Sequence, residues 1–294
     1  MKNATLSVKI TNIVIYLAIG LFGVICVYPF LNAVAISFND PLDSLKGGIY
    51  LLPRVYTYRN YVMIFMEENI AGSYIISISR TVIGSLMSVV VITLFCFAVT
   101  RKEFVGKKFF NYMIVIPMYF GGGFLPTYLI NKSYGLVNNF WVLVLPAVVW
   151  SFGIILFKTF LLALPAEIED AAAIDGAGHV RALLYIVVPL SMPIISVIVL
   201  FVAVGHWNDW YTGVAYFSNI KKYPSASLLY KMLQDASSAR DIITAVTRIT
   251  GVSTVTPQAL KMTMLVVITA PILIIYPFLQ KHFEQGMMIG AIKG

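Results

Sequence analysis

Residues Pro165–Pro193 read PAEIEDAAAIDGAGHVRALLYIVVPLSMP, a polar and partly acidic island between two long apolar runs. Its first half has the marks of a short helix. Pro165 suits a first turn, where its missing N–H would be unpaired in any case, and Glu167, Glu169 and Asp170 favour the positive helix N-terminus. Ile168, Ala171, Ala172 and Asp175 share one face at helical spacing. Two alanines on that face allow another surface to approach the backbone closely. Gly176-Ala177-Gly178 then lets the chain turn without steric cost, and a second short helix is expected over His179–Val188, ending before Pro189. Composition alone leaves open an ordinary amphipathic helix lying on a membrane surface.

Outward from this island the chain is apolar on both sides. Of its 294 residues, 59% are hydrophobic and 12% charged, and the mean hydropathy is +0.85, far beyond a soluble globular protein. Six apolar segments, about 12–38, 72–99, 109–130, 140–163, 190–218 and 259–280, each approach or exceed the roughly 20 residues that cross a bilayer as a helix. They leave no room for a separate soluble domain, so the expected architecture is an all-α membrane protein, one transmembrane domain over 1–294. Lys2 and Lys9 precede the first segment in the manner of a signal peptide. That segment is, however, far longer than a secretory apolar region of about 7–15 residues, and it reads as an uncleaved span. Pro29, Pro117, Pro126, Pro146, Pro193, Pro271 and Pro277 fall in the apolar segments, where neighbouring helices can satisfy the backbone groups they free.

Charge excludes some functions and orients the chain weakly. The net charge of +8 comes from basic residues spread through loops, without the basic stripe and interleaved aromatics of a nucleic-acid binder. If both termini are cytoplasmic, ten basic residues fall inside and ten outside, with Arg80 unassigned. The short loop Thr100–Lys108 holds four of them against one in Asn131–Asn139, which leans toward cytoplasmic termini. Cys26 and Cys96 lie in apolar runs and form neither a disulfide framework nor a metal site. The chain has no paired carboxylates, no H-E-x-x-H, no G-x-S-x-G and no phosphate-binding G-x-x-x-x-G-K-[ST] loop, so neither catalysis nor ATP hydrolysis is expected of it.

The island's spacing resembles a known signature. Asp170-Ala171-Ala172, three residues, Gly176, nine residues, Ile186, one residue and Val188-Pro189 is similar to the EAA motif of permease subunits of binding-protein-dependent ABC importers. Asp170 stands for Glu and Val188 for Leu. In that family the motif is a coupling helix docking into a groove of a cytoplasmic ATPase. The resemblance therefore implies a coupling loop at 164–189, with Glu169, Asp170, Ala171, Ala172, Asp175 and Gly176 meeting the ATPase on the cytoplasmic side.

Other stretches resemble the carbohydrate branch, in particular the second, MalG/LplC-like subunit of a type I importer. Gly48–Pro53 with Tyr58-Arg59-Asn60-Tyr61 is similar to a stretch of its first outer loop, and taken alone it is an ordered loop with interfacial aromatics. The loop 219–258 corresponds to one that reaches into the extracytoplasmic binding protein in maltose-type importers. The ending Phe283–Gly294 resembles "F-x-x-G-x-x-x-G-A-x-K-G", which implies that Gly290, Lys293 and Gly294 touch the ATPase. The implied partners are a second homologous permease subunit, two copies of a P-loop ATPase, a solute-binding protein and a carbohydrate. The implied location is the bacterial cytoplasmic membrane. No cofactor is implied for this chain.

His206-Trp207-Asn208-Asp209-Trp210 sits inside the fifth segment, where polar groups are costly and usually face an aqueous path. It resembles the W-N-D pattern of carbohydrate permeases. Rings can stack on sugar faces while Asn and Asp bond hydroxyls, making Trp207, Asn208, Asp209 and Trp210 candidate pathway residues; an interfacial aromatic belt is the alternative. In the maltose system the tight sugar site belongs mostly to the other permease subunit. An ion-gradient-driven secondary transporter would need a titratable carboxylate at membrane depth, and Asp209 is the sole candidate. Gly121-Gly122-Gly123 is either a hinge or, as expected here, a site where neighbouring helices pack closely, and Arg80 and Lys158 are expected to extend toward headgroups.

Overall fold

The computed structural model describes residues 6–66, 68–165, 167–168, 176–234, 244 and 256–291. Helices form nearly all of it, and among the described residues the extended pairing is one isolated bridge, Asn39 to Tyr56. In chain order the principal helices are α1 (Leu6–Ser37), α2 (Pro41–Ser44), α3 (Arg59–Met66), α4 (Glu68–Thr100), α5 (Lys107–Tyr119), α6 (Phe124–Ser133) and α7 (Ser151–Leu162). They continue as α8 (His179–Leu190), α9 (Met192–Asn208), α10 (Tyr211–Tyr216), α11 (Ser225–Gln234) and α12 (Pro257–Ala291).

Three of these stretches, Val8–Ser37, Asn69–Thr100 and Pro257–Ile274, are long and apolar enough to cross a membrane alone. Two bent pairs raise the number to five: Phe140–Ala147 with Ser151–Leu162, at 43°, and α8 with α9, at 77°. The segment expected at 109–130 is instead two short helices, α5 and α6, because the chain breaks at Phe120–Gly123 and Gly123 takes a φ of 78° that side chains rarely adopt. A methyl on Gly121 or Gly123 would meet no atom within 4 Å. These glycines therefore break a helix rather than pack one, which corrects the favoured close-packing reading and leaves the hinge reading. The second half of the island also differs. α8 runs through Pro189 to Leu190, passing through a π-helical turn at Leu183–Val187, a local widening that accommodates a residue unable to donate to the preceding turn.

The chain divides into two compact units, Met1–Ala71 with Leu229–Ala270, and Gly72–Leu228 with Pro271–Gly294. In the first, α1 exposes apolar side chains along most of its length, Leu17, Phe22 and Val24 among them, as a lipid-facing helix does. Its end is tied to an ordered loop. Buried Asn39 donates to Asp43 Oδ2 at 3.1 Å and Ser44 Oγ at 3.0 Å, while its Oδ1 accepts from the Arg54 and Val55 amides at 2.7 and 2.8 Å. Asn60 donates to the Ser37 and Asn39 carbonyls, and Tyr61 packs on Phe38 with ring centroids 4.6 Å apart. The Asn-Tyr of the outer-loop motif thus fastens the loop to the end of α1. The hydrogen bond from Asn39, with Lys46 and Arg54 nearby, holds the Asp43 carboxyl below the usual carboxylate range.

In the second unit, α4, α5, α7, α8 and α9 enclose an apolar core around Ile92, Cys96, Ile154, Phe157, Leu183 and Ile198. Lys158, expected at headgroups, is half-buried in α7 and donates to Asn111 Oδ1 of α5 at 2.6 Å.

Candidate functional site

The second unit has a polar centre, assembled where helices break. α9 ends at Asn208, Asp209 is extended (φ −71°, ψ 99°), and α10 starts two residues later. The break frees backbone groups, and Asp209 helps to satisfy them: its Oδ1 accepts from the Thr212 amide at 3.1 Å. Its Oδ2 accepts from Arg80 at 2.6 Å. Arg80 also donates to the Asp209 carbonyl at 3.0 Å and the Leu143 carbonyl at 3.3 Å, thereby holding both the α9–α10 break and the short 3-10 turn before α7.

Arg80 is 1% exposed, so the sequence expectation that it extends to headgroups is corrected. It lies well inside α4 and points inward, where a half-buried carboxylate and two backbone carbonyls accept from it. A charge at this depth is stable when paired and hydrogen-bonded. It is also the residue of the polar centre that sequence reasoning misplaced. The available signal was Ser73, Ser77, Arg80, Ser85 and Ser88, spaced three to five residues apart along one apolar helix, all of which are buried. Ser77 of that row bonds Ser225 of α11 at 2.9 Å.

Of the four candidate pathway residues, the structure brings only Asp209 to the polar centre as a charged partner. Trp207 is buried against Tyr74, with centroids 6.2 Å apart. Asn208 is exposed, and Trp210 sits 40% exposed with its carbonyl accepting from Ser227 at 2.7 Å. His206, also buried, rests on Gly84 of α4, where an added methyl would stand 2.3 Å from Nε2. Gly84→Ala is accordingly expected to cost about 1–3 kcal/mol through overpacking. Thermal unfolding in detergent measures it. In a His206→Ala background the same substitution should cost little, because the two changes share one contact.

Two cavities meet at the ion pair, both with Arg80, Ala147 and Asp209 in their walls. One, of about 350 Å³, adds Trp150, Phe201 and His206. The other, of about 420 Å³, adds polar side chains of α6 and aromatic rings of α6 and α10. Among the described residues no cluster of His, Cys, Asp and Glu could hold a metal ion. Around the ion pair, the described residues bring no nucleophile and general base together.

Of the expected ATPase-coupling residues, Gly176 is described, exposed and at a φ of 72°. Glu169, Asp170, Ala171, Ala172 and Asp175 lie outside the described residues, as do Lys293 and Gly294. Gly290 falls in the last turns of α12. Of the loop 219–258, the residues 235–243 and 245–255 are likewise outside them.

Several apolar helices long enough to cross a membrane, broken helices around an ion pair and two cavities beside it are features that suit a membrane transport component. The chain belongs to the family described as binding-protein-dependent transport system inner membrane component, whose model matches residues 62–289. It is thus a non-catalytic membrane component of an ABC importer, in which a separate subunit hydrolyses ATP. It is 33% identical over 295 residues, covering all of both chains, to the polygalacturonan/rhamnogalacturonan transport system permease protein YtcP of Bacillus subtilis (strain 168). To Protein LplC of the same organism it is 34% identical over 279 residues, 95% of this chain and 93% of that one. In fold it is similar to a crystal structure of a bacterial ABC transporter involved in the import of the acidic polysaccharide alginate, with a TM-score of 0.84 and 23% identity over 96% of this chain and 100% of that chain.

Proposed function

We propose that the cargo is a carbohydrate, in particular an oligosaccharide, handed over by an extracytoplasmic solute-binding protein. The observation that carries this reading is end-to-end similarity to a permease named for polygalacturonan and rhamnogalacturonan transport, joined to the sugar-type outer-loop and tail patterns of this chain. On this reading the chain crosses the bacterial cytoplasmic membrane six times as a single permease domain, with both termini cytoplasmic. The third crossing is made by α5 and α6 as a broken helix. A second homologous permease completes the path, and two copies of a P-loop ATPase dock from the cytoplasm. Glu169, Asp170, Ala171, Ala172, Asp175 and Gly176 receive one ATPase copy, and Gly290, Lys293 and Gly294 of the tail lie against it. ATP binding draws the coupling loops together and rocks the spans from an inward-open to an outward-open state. Asp209, alone among Trp207–Trp210, faces the path; Trp207 packs the helix. The ion-gradient alternative loses its carboxylate, since Asp209 is committed to Arg80.

Gentle solubilisation of the tagged chain from its native membrane, followed by mass spectrometry of what accompanies it, tests the assembly. Recovery of a P-loop ATPase and a second EAA-bearing permease is expected. Recovery of the chain alone, under conditions that preserve other membrane complexes, would contradict it.

A further inference from the structure

We infer that this subunit carries a saccharide-binding subsite of its own in the larger cavity, formed by the aromatic rings of α6 and α10 and walled on one side by the Arg80–Asp209 pair. The inference rests on the importer reading above and assigns a place to its cargo.

Two chain breaks create the subsite. The glycines at 121–123 start α6 afresh at Phe124, and the break at Asp209–Trp210 starts α10 at Tyr211, so two short helices present their aromatic residues to each other. Phe124 stands edge-on to Tyr211 and Tyr216, at 5.7 and 6.3 Å, and Tyr128 stacks on Tyr216 at 5.5 Å. Phe124 and Tyr211 remain 47% and 46% exposed. They are open ring faces of the kind on which the C–H face of a sugar lies, because the π face is electron-rich and the C–H bonds are weakly positive.

The polar groups match hydroxyls rather than an ion or a lipid chain. Buried Asn131 donates to the Tyr216 hydroxyl oxygen at 2.9 Å, which leaves that hydroxyl's own proton free to donate. Arg80 has five N–H donors, of which three are spent on Asp209 and Leu143. Its buried Nε has no partner, an unusual cost that a ligand oxygen would remove. Thr127, whose hydroxyl donates to the Gly123 carbonyl at 2.8 Å, adds an acceptor, and Thr212 a group that both donates and accepts. A sugar hydroxyl also does both. The pair itself carries no net charge, so the wall offers a carboxylate and a guanidinium side by side without trapping a cation. The cavity, at about 420 Å³, falls in the range of about 300–1,000 Å³ typical of small-molecule sites.

The test uses the full complex in proteoliposomes with ATP inside. The probe is a mixed pool of di-, tri- and tetrasaccharides of glucose, galactose and galacturonate, with mass spectrometry of what enters. Tyr211→Ala should lower the import rate of the transported sugar roughly ten-fold, the loss expected when about one stacking contact disappears, while Tyr211→Phe, which keeps the ring, should retain most of it. Tyr216→Phe, which removes a single oxygen, should lower it several-fold. If the alanine variant does not assemble with its partners, the Tyr216→Phe rate decides. Wild-type import with unchanged rates in the variants that assemble would overturn the subsite and leave the importer reading standing. No import of any pool member by the wild type would overturn the carbohydrate reading and the subsite with it.

Discussion

Replacing Arg80 with leucine is expected to destabilise the second unit by about 3 kcal/mol, toward the lower end of the 3–5 kcal/mol seen when one partner of a buried ion pair is removed. The lower end applies because the Asp209 side chain keeps 25% of its exposure, so water can partly rescue the stranded carboxylate. The Leu143 and Asp209 carbonyls would also lose their donor. Asp209→Leu should be comparably harmful, since it strands an arginine whose side chain is 2% exposed. The double variant Arg80→Leu/Asp209→Leu should cost far less than the sum of the two single losses, the residual being the carboxylate's hydrogen bond to the Thr212 amide and the Leu143 and Asp209 carbonyls left without Arg80. Thermal unfolding of the four proteins in one detergent gives the coupling directly. Additive losses would mean that the pair does not act as a unit. The double variant should remain deficient in uptake despite this partial recovery of stability, because the subsite has lost its polar wall.

Gly176→Arg is expected to abolish uptake while leaving the protein in the membrane at normal abundance. Gly176 is exposed, and a methyl placed on it would meet no atom within 4 Å, so the fold has room for a side chain. The cost within this chain is backbone strain, because φ is 72°, a left-handed value worth about 1–2 kcal/mol to a side-chain-bearing residue. Gly176→Ala carries the same strain without the bulk and serves as the control. If docking against an ATPase groove is the role of the loop, the alanine variant transports and the arginine variant does not. Equal loss in both would attribute the effect to strain, and equal transport would remove position 176 from the interface.

The apolar runs at 12–38 and 72–99 coincide with α1 and α4 because an uninterrupted stretch of apolar residues in lipid has little choice but to form a helix. Breaks inside such runs were less legible. Hydropathy is an average over a window and does not register where a helix stops. The 77° bend at Ser191 and the extended Asp209 both sit within runs that remain apolar on either side. At Gly121-Gly122-Gly123 the signal was present, but close packing and a helix break ask for the same residue, and only the backbone angle distinguishes them. Arg80 was misplaced for a related reason: whether a lone arginine in an apolar segment reaches outward or inward depends on a partner 129 residues away. Asp209 was legible as a polar residue at depth, whereas the aromatic rings of α6 and α10 were not legible as one cluster, since nothing in the spacing of Phe124 and Tyr211 announces their contact. The family was readable because its signature is local, with residues and spacing contained in one loop.

The most direct test of energy entering at that loop is a photo-crosslinking residue placed at Val180, which stands 71% exposed in the same loop, in the full-length chain in its native membrane. Irradiation followed by mass spectrometry should yield an adduct with a P-loop ATPase, and the yield should change on adding ATP as the coupling loops move. An adduct formed only with lipid, in membranes where the importer is active, would contradict the docking of an ATPase at this loop.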